Sequence, residues 1–592
     1  MEPISQRIRC FVTVTMFLCA SPCWAQSGTA KPSGTPSGQI TGHVVNSAGE
    51  PLPSASIYAG SILGNVRGKT GTADSHGDFK IDGLEPGLFN VSATMPGYVF
   101  VSRTPTGDSP PYYRLGDSVT FTLTKGGVIT GTVTGPNGPL VGVGIFATRV
   151  RDVDGKKLSA AFPGGFERRT DDRGVFRIYG LTPGAYILMA MRPRVGTIVP
   201  SAYDLDLPTY YPSGARDTAA QIVVREGDEI TADIQYRSEP GHAISGNVSG
   251  FVSAQLQFTS GPNVDLTDLR DRTQIANGPT SSADNSAFAL YGVPDGEYEL
   301  SARQYLPAGD QLRSPPRRVT VHGADVTGIS LTLAPLASID GRFVFENDPK
   351  AGCAKRRETA AQETLVYARR YEPEKKPGAD PKTAVPEVPF SAVSYTAQAV
   401  GNAKGSFTLR NLLPGSYRID PRSPASGWYV RSITIGATQA AARTASVATA
   451  RDGVAVRSGE RVSGLMVTMT EGAARLRGRI SGTEAQTLPP RLRVYLIPVE
   501  PEAAENVLRF YESWIEVDGQ FIVDNVAPGK YWIVARPAPE NESGTTNSIR
   551  QDVTLRANVL RDAGTLKRLV TLTPCQQVAD FELPYVASTS GQ

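Results

Sequence analysis

Apolar residues recur at every second position in short runs spread along the whole chain. The runs "SVTFTLT" (118–124), "EITADIQY" (229–236), "VTGISLTL" (326–333), "VSGLMVTM" (462–469) and "VADFELPY" (578–585) all alternate in this way. A period of two sends successive side chains to opposite faces of an extended strand, so each run reads as a strand buried on one side. Helical periodicity is scarce. "AGCAKRRETAAQETLVYARR" (351–370) and "GATQAAARTASVATA" (436–450) have helix-forming composition without a sustained apolar stripe, and read as loop decorations.

The strands belong to a larger repeat. "GDFKIDGLEPGLF" (77–89), "GVFRIYGLTPGAY" (174–186), "SAFALYGVPDGEY" (286–298), "GSFTLRNLLPGSY" (405–417) and "GQFIVDNVAPGKY" (519–531) share one pattern. The common aromatic is Phe79, Phe176, Phe288, Phe407 and Phe521, at spacings of 97, 112, 119 and 114 residues. That period is domain-sized, so five units are expected. Within the second copy, Phe176 and Ile178 face a core and Arg177 faces water. Pro183-Gly184 makes a turn, and Tyr186 and Leu188 begin the return strand.

Asp171 and Asp172 stand in the preceding turn, where carboxylates accept backbone N–H bonds. A calcium or sugar site would need its acids in every copy. Asp74, Asp284 and Asp518 recur, but the fourth copy offers only Asn402, so the position reads as turn punctuation. Ahead of each hairpin stands "ITGHV", "ITGTV", "ISGNV", "IDGRF" or "LRGRI". A glycine inside a strand marks a bulge or a close approach. Gly42, Gly131, Gly246, Gly341 and Gly478 read as the points where the first strand crosses a neighbouring aromatic.

Length and charge narrow the class. A chain of 592 residues is too long for one core. Sixty basic against 57 acidic residues leave nothing to steer it to nucleic acid. Arg7 and Arg9, then "CFVTVTMFLCA", then "SPCWA" give the order of a secretory signal peptide cleaved after Ala25. The apolar run is too short to cross a bilayer, and no transmembrane segment is expected in the mature chain. Export to periplasm, outer surface or exterior follows. The mature chain then keeps Cys353 and Cys575. An oxidising compartment invites a disulfide between them, and two free buried thiols are the alternative.

The run "ITGHVVNSAGEPLPSASIYA" followed by "TADSHGDFKIDGLEPGLFNVSATMPGY" resembles the carboxypeptidase regulatory-like domain. "GPLVGVGIFA" stands in the second copy where "EPLPSASIYA" stood in the first. The resemblance implies an all-β chain: a tandem array of five prealbumin-like, seven-stranded β-sandwich domains of exported bacterial type, in a carbohydrate-binding-like fold group. The expected division is a signal peptide (1–25), a flexible linker (26–38), then sandwiches at 39–126, 127–240, 241–336, 337–472 (with long loop insertions) and 473–592. Short linkers predict a semi-extended rod or arc.

Catalytic constellations are missing from the sequence. None of His43, His76, His242 and His322 has Glu three residues on, as a zinc carboxypeptidase pair requires. "GNVRGKTG" (64–71) has the wrong spacing for a phosphate loop, and "RDVDGKKL" (151–158) lacks most of a calcium loop. No enzyme activity, metal or cofactor is expected. Sugars stack on exposed rings, which makes Tyr112, Tyr113, Tyr210, Tyr211, Trp428 and Tyr429 the ligand-facing candidates. In an extended strand one ring of each adjacent pair points inward. The expected function is a non-catalytic exported scaffold or surface-associated binding or adhesion protein, its partner a glycan or another envelope protein. The alternative is a carbohydrate-binding protein assisting polysaccharide recognition or uptake.

Overall fold

The computed structural model of the protein describes residues 38–586 except 63–67, 102–111, 154, 156, 159–166, 192–205, 253–260, 271–273, 281–285, 308, 348–352, 354–360, 372–395, 423–425, 437–448, 482–488, 490–491, 501–504, 516–518, 538–548 and 551. The expected signal peptide and nearly all of the linker after it lie outside the described residues, as do Asp284 and Asp518.

The chain is all-β in class, with ten sheets among the described residues. Five consecutive segments each supply two sheets facing across one apolar core. The first sheet of every segment has the same plan. An opening strand (Gly38–Asn46, Gly127–Gly135, His242–Ser249, Ala337–Glu346, Ala474–Ser481) pairs antiparallel with the phenylalanine strand and parallel with a closing strand. The second sheet is built around an antiparallel pair such as Ser56–Ser61 with Phe89–Thr94, or Leu492–Pro498 with Gly529–Pro537. Seven strands are met in the fifth segment and exceeded in the others. The fifth segment has three and four strands in its sheets, whereas short edge pieces such as Tyr98–Phe100 bring the first to four and four.

The recurrent phenylalanines Phe79, Phe176, Phe288, Phe407 and Phe521 are all buried, each in its own core. Burying such a ring contributes about 1.5–3 kcal/mol. Each ring lies directly opposite the opening-strand glycine, in the pairs Gly42–Phe79, Gly131–Phe176, Gly246–Phe288, Gly341–Phe407 and Gly478–Phe521. A Cβ on Gly478 would stand 2.3 Å from the Phe581 carbonyl oxygen and 2.6 Å from the Phe521 ring. The glycine is therefore required by close approach from two sides.

Two regions differ from expectation. Leu365–Tyr371, which overlaps the end of the stretch 351–370 read as loop decoration, is a core strand of the fourth segment, with Val366 and Ala368 facing inward. Of the second such stretch, 437–448 lies outside the described residues. The fifth segment adds a helix, Val553–Leu566, that the repeat does not contain. Asp552 caps it by accepting from the Leu555 N–H at 2.8 Å. Val559 and Ala563 pack it on Tyr495, Ile497 and Val534, covering the outer face of a sheet whose strand Leu492–Pro498 is buried on both sides.

Candidate functional site

The six candidate aromatics form no shared platform; they divide between cores and the contacts between segments. Tyr113 packs on the core of the first segment, while its neighbour Tyr112 points away and donates to or accepts from the Tyr367 hydroxyl of the fourth segment at 2.6 Å. Tyr211 packs on the second core. The charges acting on the Tyr210 phenol are Arg216 and Asp217 of its own segment and Asp268 and Arg270 of the next, and burial raises its pKa above the usual range. Trp428 packs edge-on to Phe345 in the fourth core, with ring centroids 5.4 Å apart. Tyr429 packs against the core of the fifth. Each pair thus sends one ring into its own core and the other toward a different segment. Strand alternation accounts for the split, and Tyr112 and Tyr429 meet protein. The half-exposed tyrosines Tyr58, Tyr179 and Tyr305 belong to three different segments.

Charged and polar groups complete these junctions. Arg270 binds Asp268 of its own segment at 2.7 Å and Asp217 of the second at 3.0 Å, while Arg216 approaches Asp268 at 3.8 Å. Asp268 is buried between these two guanidinium groups. Between the third and fourth segments, Asn411 accepts from the Gln311 N–H at 2.9 Å and donates to the Gly309 carbonyl at 3.1 Å. Asn525 accepts from the Gly427 N–H across the next junction, at 3.1 Å. Asn411 and Asn525 occupy the repeat position held by Gly83, Gly180 and Gly292, and all five have φ between 57° and 74°. Asparagine tolerates that left-handed conformation and brings a side chain that glycine lacks. Repeat reading missed this role, although the Gly-to-Asn exchange in the last two copies was its visible signal.

At the boundary of the fourth and fifth segments, Val507 and Leu508 of the fifth join the core of the fourth. Cys353 and Cys575 meet there as well, as a disulfide with Cα atoms 5.4 Å apart. The Cys575 N–H donates to the Gly472 carbonyl at 3.0 Å.

The acidic positions among the described residues are turns. Asp74 accepts from the N–H groups of His76 and Asp78, at 2.8 and 3.0 Å. Asp171 does the same with Arg173 and Val175, at 2.9 and 2.8 Å, and Asn402 with Lys404 and Ser406, at 2.9 and 3.0 Å. The same two bonds from carboxylate and amide explain why the fourth copy dispenses with the acid. Asp152 closes another turn by accepting, through its carbonyl, from the Gly155 N–H at 3.1 Å. Of "GNVRGKTG", residues 64–67 lie outside the described residues; Lys69 begins the strand Lys69–Thr72. His242 faces Asp295 at 3.2 Å with Nε2 and Asp325 at 3.9 Å with Nδ1. These carboxylates lie on opposite sides of the ring and do not converge. Among the described residues no three His, Cys, Asp or Glu side chains are placed to share a metal ion, and no helix is long and apolar enough to cross a membrane.

Residues 39–111 match the carboxypeptidase regulatory-like domain family. The match lies within the first segment, whose two facing sheets have the β-sandwich build that the resemblance implies. No curated protein sequence matches it. Among solved structures it is similar to the Bacillus anthracis TIE protein, at 14% identity over 50% of this chain and 51% of that one, with a TM-score of 0.13. It is also similar to GBS52, the minor pilin of Streptococcus agalactiae, at 15% identity over 34% of this chain and 97% of that one, with a TM-score of 0.18. BcpA, the major pilin subunit of Bacillus cereus, is 11% identical over 50% of this chain and 99% of that one, with a TM-score of 0.14. The chain spans about half of the first of these structures. Likeness this low carries no argument about function.

Proposed function

We propose that the protein is a non-catalytic exported scaffold, made of five tandem β-sandwich domains divided at 39–126, 127–240, 241–336, 337–472 and 473–592. Its role is to hold binding surfaces at fixed relative positions at the cell surface or in the envelope. The observation that carries this reading is the use of paired aromatics. Tyr112, Tyr210 and Tyr429 are directed at other segments, so side chains suited to ligands are committed to fixing domain against domain. The Cys353–Cys575 bond, in an oxidising compartment, adds a covalent tie between the fourth and fifth domains.

The partner is another envelope protein. A glycan is the weaker reading, since its six candidate rings share no face. The test is export of the full chain from a bacterial host, N-terminal sequencing of the mature protein, and pull-down from envelope extract beside a glycan array. Mature protein beginning at Gln26 and a specific envelope partner are expected. Retention of residues 1–25, or turnover of a substrate with no partner of any kind, overturns the reading.

A further inference from the structure

One contact joins segments that are not neighbours in the chain. Leu88 of the first segment is buried against Leu365 and Tyr367 of the fourth, with Ile62, Tyr112 and Val400 packed around them. Polar groups stand at the margin: the Tyr112 and Tyr367 hydroxyls 2.6 Å apart, and Arg114 3.7 Å from the buried carboxylate of Glu363. An apolar centre rimmed by a hydrogen bond and an ion pair is the anatomy of a specific protein interface.

The two faces are built for it. In the strand Leu365–Tyr371, Val366 and Ala368 fill the core of the fourth segment. Strand alternation therefore puts Leu365 and Tyr367 on the outer face, which an isolated sandwich would leave to water. Val400 pairs with Leu365 across the sheet and lies on the same side. On the first segment, Phe89 and Tyr113 point into the core, while their neighbours Leu88 and Tyr112 point out. The first segment also touches the second, where Ser47 donates to Glu226 at 2.7 Å. The second touches the third through Arg270 and Asp217, and the third the fourth through Asp310 and Arg410 at 3.1 Å. Contact between first and fourth closes this series on itself. The semi-extended rod or arc expected from short linkers is corrected at this point.

We propose that the outer face at Leu365, Tyr367 and Val400 is a docking surface whose occupant is the first domain of the same chain. The pair acts as a latch that closes the first four domains into a loop and, on release, bares an apolar surface on each side. The area is confined to a few side chains, and among the described residues no covalent bond holds it. The Cys353–Cys575 tie joins only the fourth and fifth segments.

The test uses the full mature chain in small-angle X-ray scattering with light scattering for mass. Wild type is expected to be a monomer with a compact scattering profile. Leu88→Glu, which places a charge in the apolar centre, is expected to remain monomeric with an enlarged radius of gyration. Arg114→Glu is expected to open the loop in part, and adding Glu363→Arg to restore compaction, a rescue that damage to either fold would not give. Circular dichroism of each variant must match wild type; a variant that has lost its β signal is replaced by Tyr112→Phe, which removes only the hydroxyl and is expected to shift the profile in the same direction. An unchanged profile in folded Leu88→Glu overturns the latch. So does a wild-type mass of two chains, which would mean that the faces meet between copies.

Discussion

At the residue scale, the repeat is held by side chains that satisfy backbone groups. Backbone N–H bonds, from Val175 above all, keep the Asp171 carboxyl below the usual carboxylate range, and the His76 N–H does the same for Asp74. A depressed folded pKa stabilises above the unfolded value of about 3.9 and loses that contribution as pH falls through the folded value. Asn402 makes the same bonds without titrating. Asp171→Asn is therefore expected to keep the turn and to blunt the acid sensitivity of its segment. Asp171→Ala is expected to lower its melting point at all pH values, and thermal melts at pH 3 and 7 separate the two. The hairpin tyrosines supply a second case. Tyr186, Tyr298, Tyr417 and Tyr531 each donate to the carbonyl four residues earlier, at 2.7 to 2.9 Å. Burial pushes the Tyr417 phenol up to about 12, so it remains a donor across the neutral range. Tyr417→Phe leaves the Leu413 carbonyl without that donor and is expected to cost about 1–3 kcal/mol in denaturant unfolding. The first copy has Phe89 at this position and does without the bond.

At the element scale, the governing contact is the crossing of opening strand and phenylalanine strand. A Cβ on Gly42 would lie 2.0 Å from the Val119 carbonyl oxygen and 2.6 Å from the Phe79 ring. Neither the ladder carbonyl nor the buried ring can retreat, so Gly42→Ala is expected to destabilise the first segment by about 3 kcal/mol or more. Gly49→Ala meets nothing within 4 Å and strains only a φ of 84°, and is expected to cost about 1–2 kcal/mol. Denaturant unfolding of the two variants measures the difference. This crossing was legible in the sequence because glycine and phenylalanine recur at matching places in all five copies. The alternating closing strands were legible for the same reason. Leu365–Tyr371 was not, because Leu365 and Tyr367 are apolar on the outer face too, which erases the alternation that marks a half-buried strand. The helix Val553–Leu566 carried local signals, a capping Asp552 and apolar Leu555, Val559, Ala563 and Leu566, but the repeat has no place for it.

At the scale of the whole molecule, the junctions decide whether segments behave as beads or as one body. Their residues were named from sequence only in part. Tyr112, Tyr210 and Tyr429 stood out as adjacent aromatics, but the surfaces they meet, Tyr367 among them, come from other segments, and periodicity carries no such information. The strongest coupling expected is between the fourth and fifth segments, where Val507 and Leu508 are buried in the neighbour's core. Apolar insertion of this kind stabilises whichever core receives it. Removing part of the Leu508 side chain leaves a cavity that the fourth segment must bear, at about 2–5 kcal/mol for Leu→Ala. Leu508→Ala, a substitution in the fifth segment, is therefore expected to lower the unfolding transition of the fourth. Reduction of the Cys353–Cys575 bond removes a chain constraint of about 2–4 kcal/mol, yet leaves Leu508 in place. Reduced wild type is thus expected to unfold these two segments together, at a lower temperature, whereas reduced Leu508→Ala is expected to unfold them in separate steps. Calorimetry with and without reductant checks both. A fourth-segment transition indifferent to Leu508 would mean that the insertion couples nothing.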